Sequence, residues 1–542
     1  MKSKLKVIIL ILVTLFMLHS CEKSEFLNTK PLNAITSGSV FSDPALARAN
    51  LLTVYQELPK VFSRVQGGIP LDINAGDGNQ TFPWPSAANL RNNDYNASNF
   101  DGYLNFWAPN YANIRLLNTF IEEVQSSKFD DATKTTFIAE ARVLRAVFYF
   151  DLYRFYGGVP IITKSLALSD SEALKIKRNT RDELAPFIIT ELTESTANLP
   201  VARTGADLGR IDKGITLGML ARILIYEASL KNDASLFQKA ALAAKNIMDM
   251  NIYSLYPNYD KLFLAKVPEN KEYMLYYHYV PSSFASGWLG HWALENTPLS
   301  EGGWGGSVPS LNLVDEFEMT DGKRYDESPL FDPKDPYKNR DPRFYASFYY
   351  QGSTFKGKSF EHWVGGKDYD LEGHVTTGFF IKKGIDETVP DYYASNSAAQ
   401  DYYDPYMRYA DIILMYAEAQ NEFAGPNASV YSAINQIRQR AGMPLIPDGL
   451  SKEQMRLTIR HERHVELNME ESFFHDVRRW GTVVEMSKRD VWAQKIIKNP
   501  DGSITFDRHV IETRKFDPKY VLFPIPQSEI DKNPNLTQNP GY

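Results

Sequence analysis

Several places in the sequence hold residues whose types and spacing could do chemistry. One is His461-Glu462-Arg463-His464. A metalloprotease helix holds zinc with two histidines four apart and a glutamate beside the first. Here the histidines are three apart, Arg463 would sit beside any cation, and His475 is near in sequence only. No metal is therefore assigned. We expect a charged helix in which Arg460, Glu462, Arg463 and Glu466 form internal ion pairs. Another place is Asp72-Ile73-Asn74-Ala75-Gly76-Asp77-Gly78-Asn79, where oxygen donors cluster around glycines. A calcium loop puts acidic or amide side chains at alternate positions and ends on a glutamate, which this run does not do. Asp77 and Asn79 are instead candidates for hydrogen bonding to sugar hydroxyls, in a stretch that is also ordinary turn chemistry.

Four tryptophans form a further group. Trp84 lies between Pro83 and Pro85, and Trp288, Trp292 and Trp304 lie among glycines in a second irregular region. A tryptophan on a Gly/Pro loop has less reason to be core than one on a helix. Shallow sites use aromatic faces, with a few polar groups fixing orientation. These four are read as ligand-stacking candidates. Trp107 and Trp480 fall in helical text and are read as structural.

Catalytic signatures are missing. A glycosidase needs two carboxylates at a set separation, and no local pattern singles out a pair among the 66 acidic residues. There is no Gly-x-Ser-x-Gly elbow and no dinucleotide fingerprint. No catalytic residue and no cofactor is assigned. The net charge of −7 argues against a nucleic-acid partner. Aromatic residues make up 13% of the chain, a good supply for stacking on flat ligands.

The first residues, Met1-Lys2-Ser3-Lys4-Leu5-Lys6, are basic, and Val7 to Leu18 are apolar apart from Thr14. That is the layout of a secretory signal, and the apolar run is shorter than the roughly 20 residues that span a bilayer. Ser20-Cys21 follows, and a small residue before a cysteine at this point resembles a bacterial lipobox. The reading is cleavage before Cys21 and acylation of its thiol and new amino terminus, each buried methylene contributing about 0.8 kcal/mol to anchoring. Cys21 is the only cysteine, so no disulfide explains it. No second apolar run of spanning length appears, so the membrane would be met through the lipid alone.

The elements that must position these residues are mostly helical. Asp43-Pro44 opens a helix that runs to about Leu58. Residues 60–102 read as a long loop. Leu144, Phe148, Leu152 and Phe155 mark one helical face, stopped by Gly157-Gly158 and Pro160. Similar faces place helical pairs at about 103–127 with 130–156, 213–231 with 235–250, and 406–424 with 428–441, suggesting tetratricopeptide-like hairpins. Residues 252–404 read as inserted loops with small strand pieces. The domain plan is a signal over 1–20, a lipidated tether over 21–40 and one body over 41–542. Its helical scaffold covers about 41–58, 103–250 and 405–480, and its ligand-face loops about 60–102 and 252–404. Val521 to Pro526 should dock back on the body.

Ordered stretches now support a resemblance. They are Ala139-Glu140-Ala141-Arg142-Val143-Leu144-Arg145-Ala146 running into Tyr156-Gly157-Gly158-Val159-Pro160, Pro405 to Ile412 ending Tyr416-Ala417-Glu418-Ala419, Ile434 to Arg438, Ile459 to Arg463, Phe474 to Trp480, and the finish Asn533 to Tyr542. In this order, behind a lipobox, the chain resembles the SusD-like (RagB/SusD) family of Bacteroidota over nearly its whole length. The resemblance implies a mostly α fold, a tetratricopeptide-like scaffold with a variable, loop-rich ligand half. It implies a lipid-anchored, surface-exposed protein of the outer membrane that captures an oligosaccharide without catalysis. It would hand the ligand to a SusC-like TonB-dependent transporter, with Cys21 as anchor and pivot. Peptide capture by the same architecture is the alternative, and a secreted glycoside hydrolase a more distant one.

Overall fold

The computed structural model describes residues 40–542 apart from 63–68, 82–84, 101–103, 168, 171, 173, 280–288, 299, 301, 370–376 and 390–401. Helix α1 spans Pro44–Tyr55, with Asp43 accepting from the Ala45 N–H at 2.7 Å and proline in its first turn. The stretch expected to be loop throughout contains a turn of 3₁₀ helix at Leu71–Ala75, strand β1 (Gly78–Gln80) and helix α2 (Pro85–Asn92). Helices α3 (Trp107–Ser126) and α4 (Asp131–Tyr156) form the first long hairpin. Helix α5 (Arg181–Thr196) begins at a capping box of Thr180 and Glu183 and carries Pro186 inside it, which hides it from a periodicity search. Helices α6 (Lys213–Lys231) and α7 (Ala234–Met250) form the second hairpin.

Strand β2 (Tyr273–Tyr279) then leads to α8 (Leu289–Asn296), β3 (Ser307–Pro309), β4 (Phe348–Tyr350) and β5 (Phe379–Ile381). Strand β6 (Tyr402–Arg408) returns the chain to the helices α9 (Tyr409–Ala424), α10 (Ala428–Ala441), α11 (Lys452–Glu466) and α12 (Ser472–Arg479). The chain ends with β7 (Asp490–Lys498), β8 (Ile504–Thr513) and the short α13 (Gln527–Lys532). The strands form two-stranded antiparallel pieces: β1 with β3, β2 with β6, β4 with β5 and β7 with β8.

From α3 to α7 each helix packs on the next, and α9 closes against α7 while holding α10 and α11 on its other sides. Their facing side chains form one large core that includes Leu144, Leu152, Leu224, Ile412 and Ile434. A second core, rich in Phe and Tyr, lies under the strand pieces and includes Phe62, Trp292, Phe317, Phe344 and Phe380. The C-terminal apolar stretch docks on the first core, where Phe523 donates its N–H to the Phe155 carbonyl at 2.8 Å. Gly158 permits the backbone just before α5 to approach closely, since a Cβ would collide with the Asn179 carbonyl and Thr180.

Candidate ligand face

Strands β1 and β3 come from the two long loop regions and meet as an antiparallel ladder pairing Gly78 with Pro309, Asn79 with Val308 and Gln80 with Ser307. The Thr81 N–H continues it, donating to the Gly306 carbonyl at 2.8 Å. Gly78 is required, because a Cβ would lie 2.5 Å from both Ile73 Cδ1 and the Val308 carbonyl oxygen. The free edge of β1 is satisfied by arginines from distant segments. Arg514 donates to the carbonyls of Ile73 at 2.9 Å and Gly78 at 2.7 Å, and Arg91 to that of Gln80 at 2.7 Å. Between this edge, the end of α2 and the end of β8 lies a cleft of about 410 Å³, lined by Asn79, Arg91, Asn92, Glu512, Thr513 and Lys515 among others. That volume is within the usual range for small-ligand sites. Its amides, hydroxyl, guanidinium, carboxylate and ammonium can each donate to or accept from a hydroxylated ligand.

The candidate residues separate. Asn79 lines the cleft and is buried, with its Oδ1 lacking a hydrogen-bond partner among the described residues. Trp304 is half-buried on the second core, three residues before β3, and its backbone N–H donates to the Leu294 carbonyl at 2.7 Å. Trp292 corrects the sequence expectation. It lies on α8, is 1% exposed, packs 4.9 Å from the Phe62 ring and donates its indole N–H to the Lys383 carbonyl at 3.1 Å. It is a core residue, because an unrecognised helix turns it inward. Asp77 is likewise committed internally. Both of its carboxylate oxygens lie 2.9 Å from His464 Nε2. Burial pushes the Asp77 carboxyl up, and His464 opposes that. Burial alone would lower the His464 value, and Asp77 reverses the effect. Trp84, Trp288 and Cys21 lie outside the described residues.

The charged helix forms ion pairs, but not the internal ones expected: Glu462, Arg463 and Glu466 pair with residues brought from elsewhere in the chain. Glu462 binds Arg343 at 2.6 Å and Arg438 at 2.8 Å. Arg463 binds Asp411 and Asp476, each at 2.6 Å. Glu466 receives Arg343, Arg408 and Arg440, which hold it well below the carboxylate range although burial pushes the other way. Arg460 lies over the Trp480 ring at 4.7 Å and joins no carboxylate pair among the described residues. His461 Nε2 is 2.7 Å from the Glu316 carbonyl oxygen. Among the described residues no group of three or more His, Cys, Asp or Glu is placed to hold a metal.

One carboxyl near this face stands apart. Glu295, at the end of α8, is fully buried, and neither oxygen has a hydrogen-bond partner among the described residues. Burial pushes its pKa up to about 9, so it is neutral at pH 7. Its backbone carbonyl accepts from the Gly306 N–H at 2.7 Å, just before β3.

The model of the SusD family matches residues 266–542, more than half of the chain. The chain belongs to the SusD family. A second family model, described as starch-binding associating with outer membrane, matches residues 45–225. A SusD-like protein of Bacteroides ovatus is 25% identical over 86% of this chain and 88% of its own length. SusD-like protein P38 of Formosa agariphila is 24% identical over 100% of this chain and 99% of its own. Among solved structures, a SusD-like protein of Bacteroides fragilis superposes with a TM-score of 0.80 at 25% identity, covering 95% of this chain and all of the other. A SusD-like carbohydrate-binding protein of the same species gives 0.79 at 25% identity, covering 92% of this chain and 100% of the other. The mostly helical fold with small sheets is therefore that of the SusD family, whose members bind carbohydrate and associate with the outer membrane. Arg91, Glu512 and Lys515 were not legible as site residues, since more than 400 positions separate the two sides of the cleft.

Proposed function

We propose that this SusD-family protein captures an oligosaccharide on the loop face around the β1–β3 ladder and passes it to a SusC-like TonB-dependent transporter, without chemical turnover. The observation that carries the reading is the ladder itself. It joins the two long loop regions and sets the polar cleft of Asn79, Arg91 and Glu512 on the free edge of β1. Trp304 lies three residues before β3, is half-buried, and is a stacking candidate on this face. Trp84 and Trp288 are further stacking candidates, carried by the same two loop regions. The carbohydrate-binding Bacteroides fragilis relative supports the ligand class. Acylated Cys21 serves as anchor and pivot on the outer face of the outer membrane, with the body acting as a lid.

The test is to incubate the pure protein with a panel of oligosaccharides and follow both binding and product. Binding to at least one glycan with no product is expected. Turnover of any glycan overturns the binder, and binding of peptides with no glycan bound moves the ligand class to peptide.

A further inference from the structure

A second cavity, of about 680 Å³, lies between α3, residues 160–166 and 174–176, and the C-terminal α13. Its lining is largely apolar, including Trp107, Tyr111, Ile114, Ile162, Leu174 and Leu536. Hydrogen bonds fix its walls. The Tyr111 hydroxyl donates to the Pro160 carbonyl at 2.7 Å, and Asn118 Nδ2 to those of Ile162 at 2.9 Å and Lys164 at 3.2 Å. Asn533 Nδ2 holds the other wall through the Ile176 carbonyl at 2.9 Å. The cleft is thus pre-formed, and the small exposed side chains of Ala108 and Ala112 leave it open.

Charge at its edge is unevenly matched. Lys175 is paired with Glu172 and Lys532 with Glu529. Arg115 and Lys164 line the same cleft and form no ion pair among the described residues. The Asn118 bond to the Lys164 carbonyl sets Lys164 about one helical turn beyond Arg115, so both cations lie toward one end. From Trp107 to Arg115 the helix rises about 12 Å. Such a lining offers few partners to sugar hydroxyls, and in a chain of net charge −7 two unpaired cations favour an anion.

We propose that this cleft binds a single-chain anionic amphiphile of medium length. Its apolar tail lies along Trp107 to Ile114 and its carboxylate sits between Arg115 and Lys164. The site is independent of the glycan face, so either can fail without the other.

Titration calorimetry of the full chain with octanoate, decanoate and laurate, below micelle-forming concentrations, tests it. Each added methylene should tighten binding by about fourfold at most. Decanol should bind several-fold more weakly than decanoate, because it lacks the charge. Ala112→Trp should abolish binding by filling the cleft and Arg115→Glu should weaken it about tenfold. Both residues are exposed, so melting temperature and glycan affinity should hold. Ala108→Trp on the same face serves if Ala112→Trp does not fold. No binding at any chain length, binding unchanged by the tryptophan substitution, or equal affinity for decanol would each overturn the proposal.

Discussion

Glu295 gives a prediction that bears on both stability and function. Its carboxyl is fully buried with no hydrogen-bond partner among the described residues, and burial raises its pKa from 4.5 to about 9. An acid with a raised folded value keeps its proton in the fold while the unfolded chain has released it. Stability therefore falls as pH rises from about 4.5 toward 9, at most by about 1.4 kcal/mol per pH step. By pH 7 the penalty is of order 3 kcal/mol. Glu295→Gln keeps the shape and does not titrate. Urea unfolding should show the variant more stable than the wild type by a few kcal/mol at pH 7 to 8, with the gap closing near pH 4.5. A constant gap across that range, or a variant less stable at pH 8, would refute the reasoning, because the carboxylate would then be ionised and partnered. The same variant separates the functional readings. A buried, neutral carboxyl is also how a glycosidase keeps its general acid. A binder should lose no glycan affinity in Glu295→Gln, whereas wild-type turnover that disappears in the variant would make the protein an enzyme.

Trp304→Ala should weaken glycan binding by about 1 kcal/mol while shifting the melting temperature little, since the ring is half-buried; unchanged affinity with marked loss of stability would make Trp304 core. Asn92→Ala and Lys515→Ala, both on exposed residues of the polar cleft, should each cost about 0.5–1.5 kcal/mol of glycan affinity with no change in melting, measured by titration calorimetry. Arg408→Met should destabilise the protein by about 3–5 kcal/mol in urea unfolding, because it strips a buried cation from Glu272, Glu466 and Glu470.

The helical scaffold was legible because its signals are local. Leu144, Phe148, Leu152 and Phe155 share a face within α4, and Gly157-Gly158 ends it. Pro186 hid α5, although Thr180 and Glu183 mark its start. The β7–β8 hairpin was also missed, although Asn499-Pro500-Asp501-Gly502 sits between two strand-like runs. The ligand face was harder. Trp292 is inward only because α8 forms beneath it, and Asp77 is internal only because His464 lies across from it. Neither fact has a signature within a window of sequence. The cleft needs Arg91 and Glu512 on one edge of β1, a pairing made by tertiary structure alone.

The run first weighed as a zinc motif explains how the loop half is held to the scaffold. Helix α11 sends successive side chains in different directions. Arg463 reaches Asp411 of α9 in the scaffold, and His464 reaches Asp77 beside β1 in the first loop region. Glu462 bridges Arg438 of α10 and Arg343 beneath the second core, and Glu466 joins Arg343 to Arg408 at the end of β6. Arg408 in turn binds Glu272 and Glu470, and Lys383 from the loop half completes the cluster through Glu470 at 2.6 Å. The seam between the two cores is thus made of buried, mutually satisfied charge. Apolar packing there would be as stable but would tolerate sliding, whereas a hydrogen-bonded charge network fits only one register. That matters for a candidate ligand face built from loops, because β1 and β3 are short and are positioned by the segments around them. With the seam in register, Asp77 sets β1, β1 sets β3, and the cleft residues on its free edge follow. If the loops carry the proposed glycan site, substitutions in them should change affinity without moving the frame. Substitutions in α11 should instead shift the whole face, so Glu462→Gln should lower stability and glycan affinity together, although it touches no lining residue of the cleft.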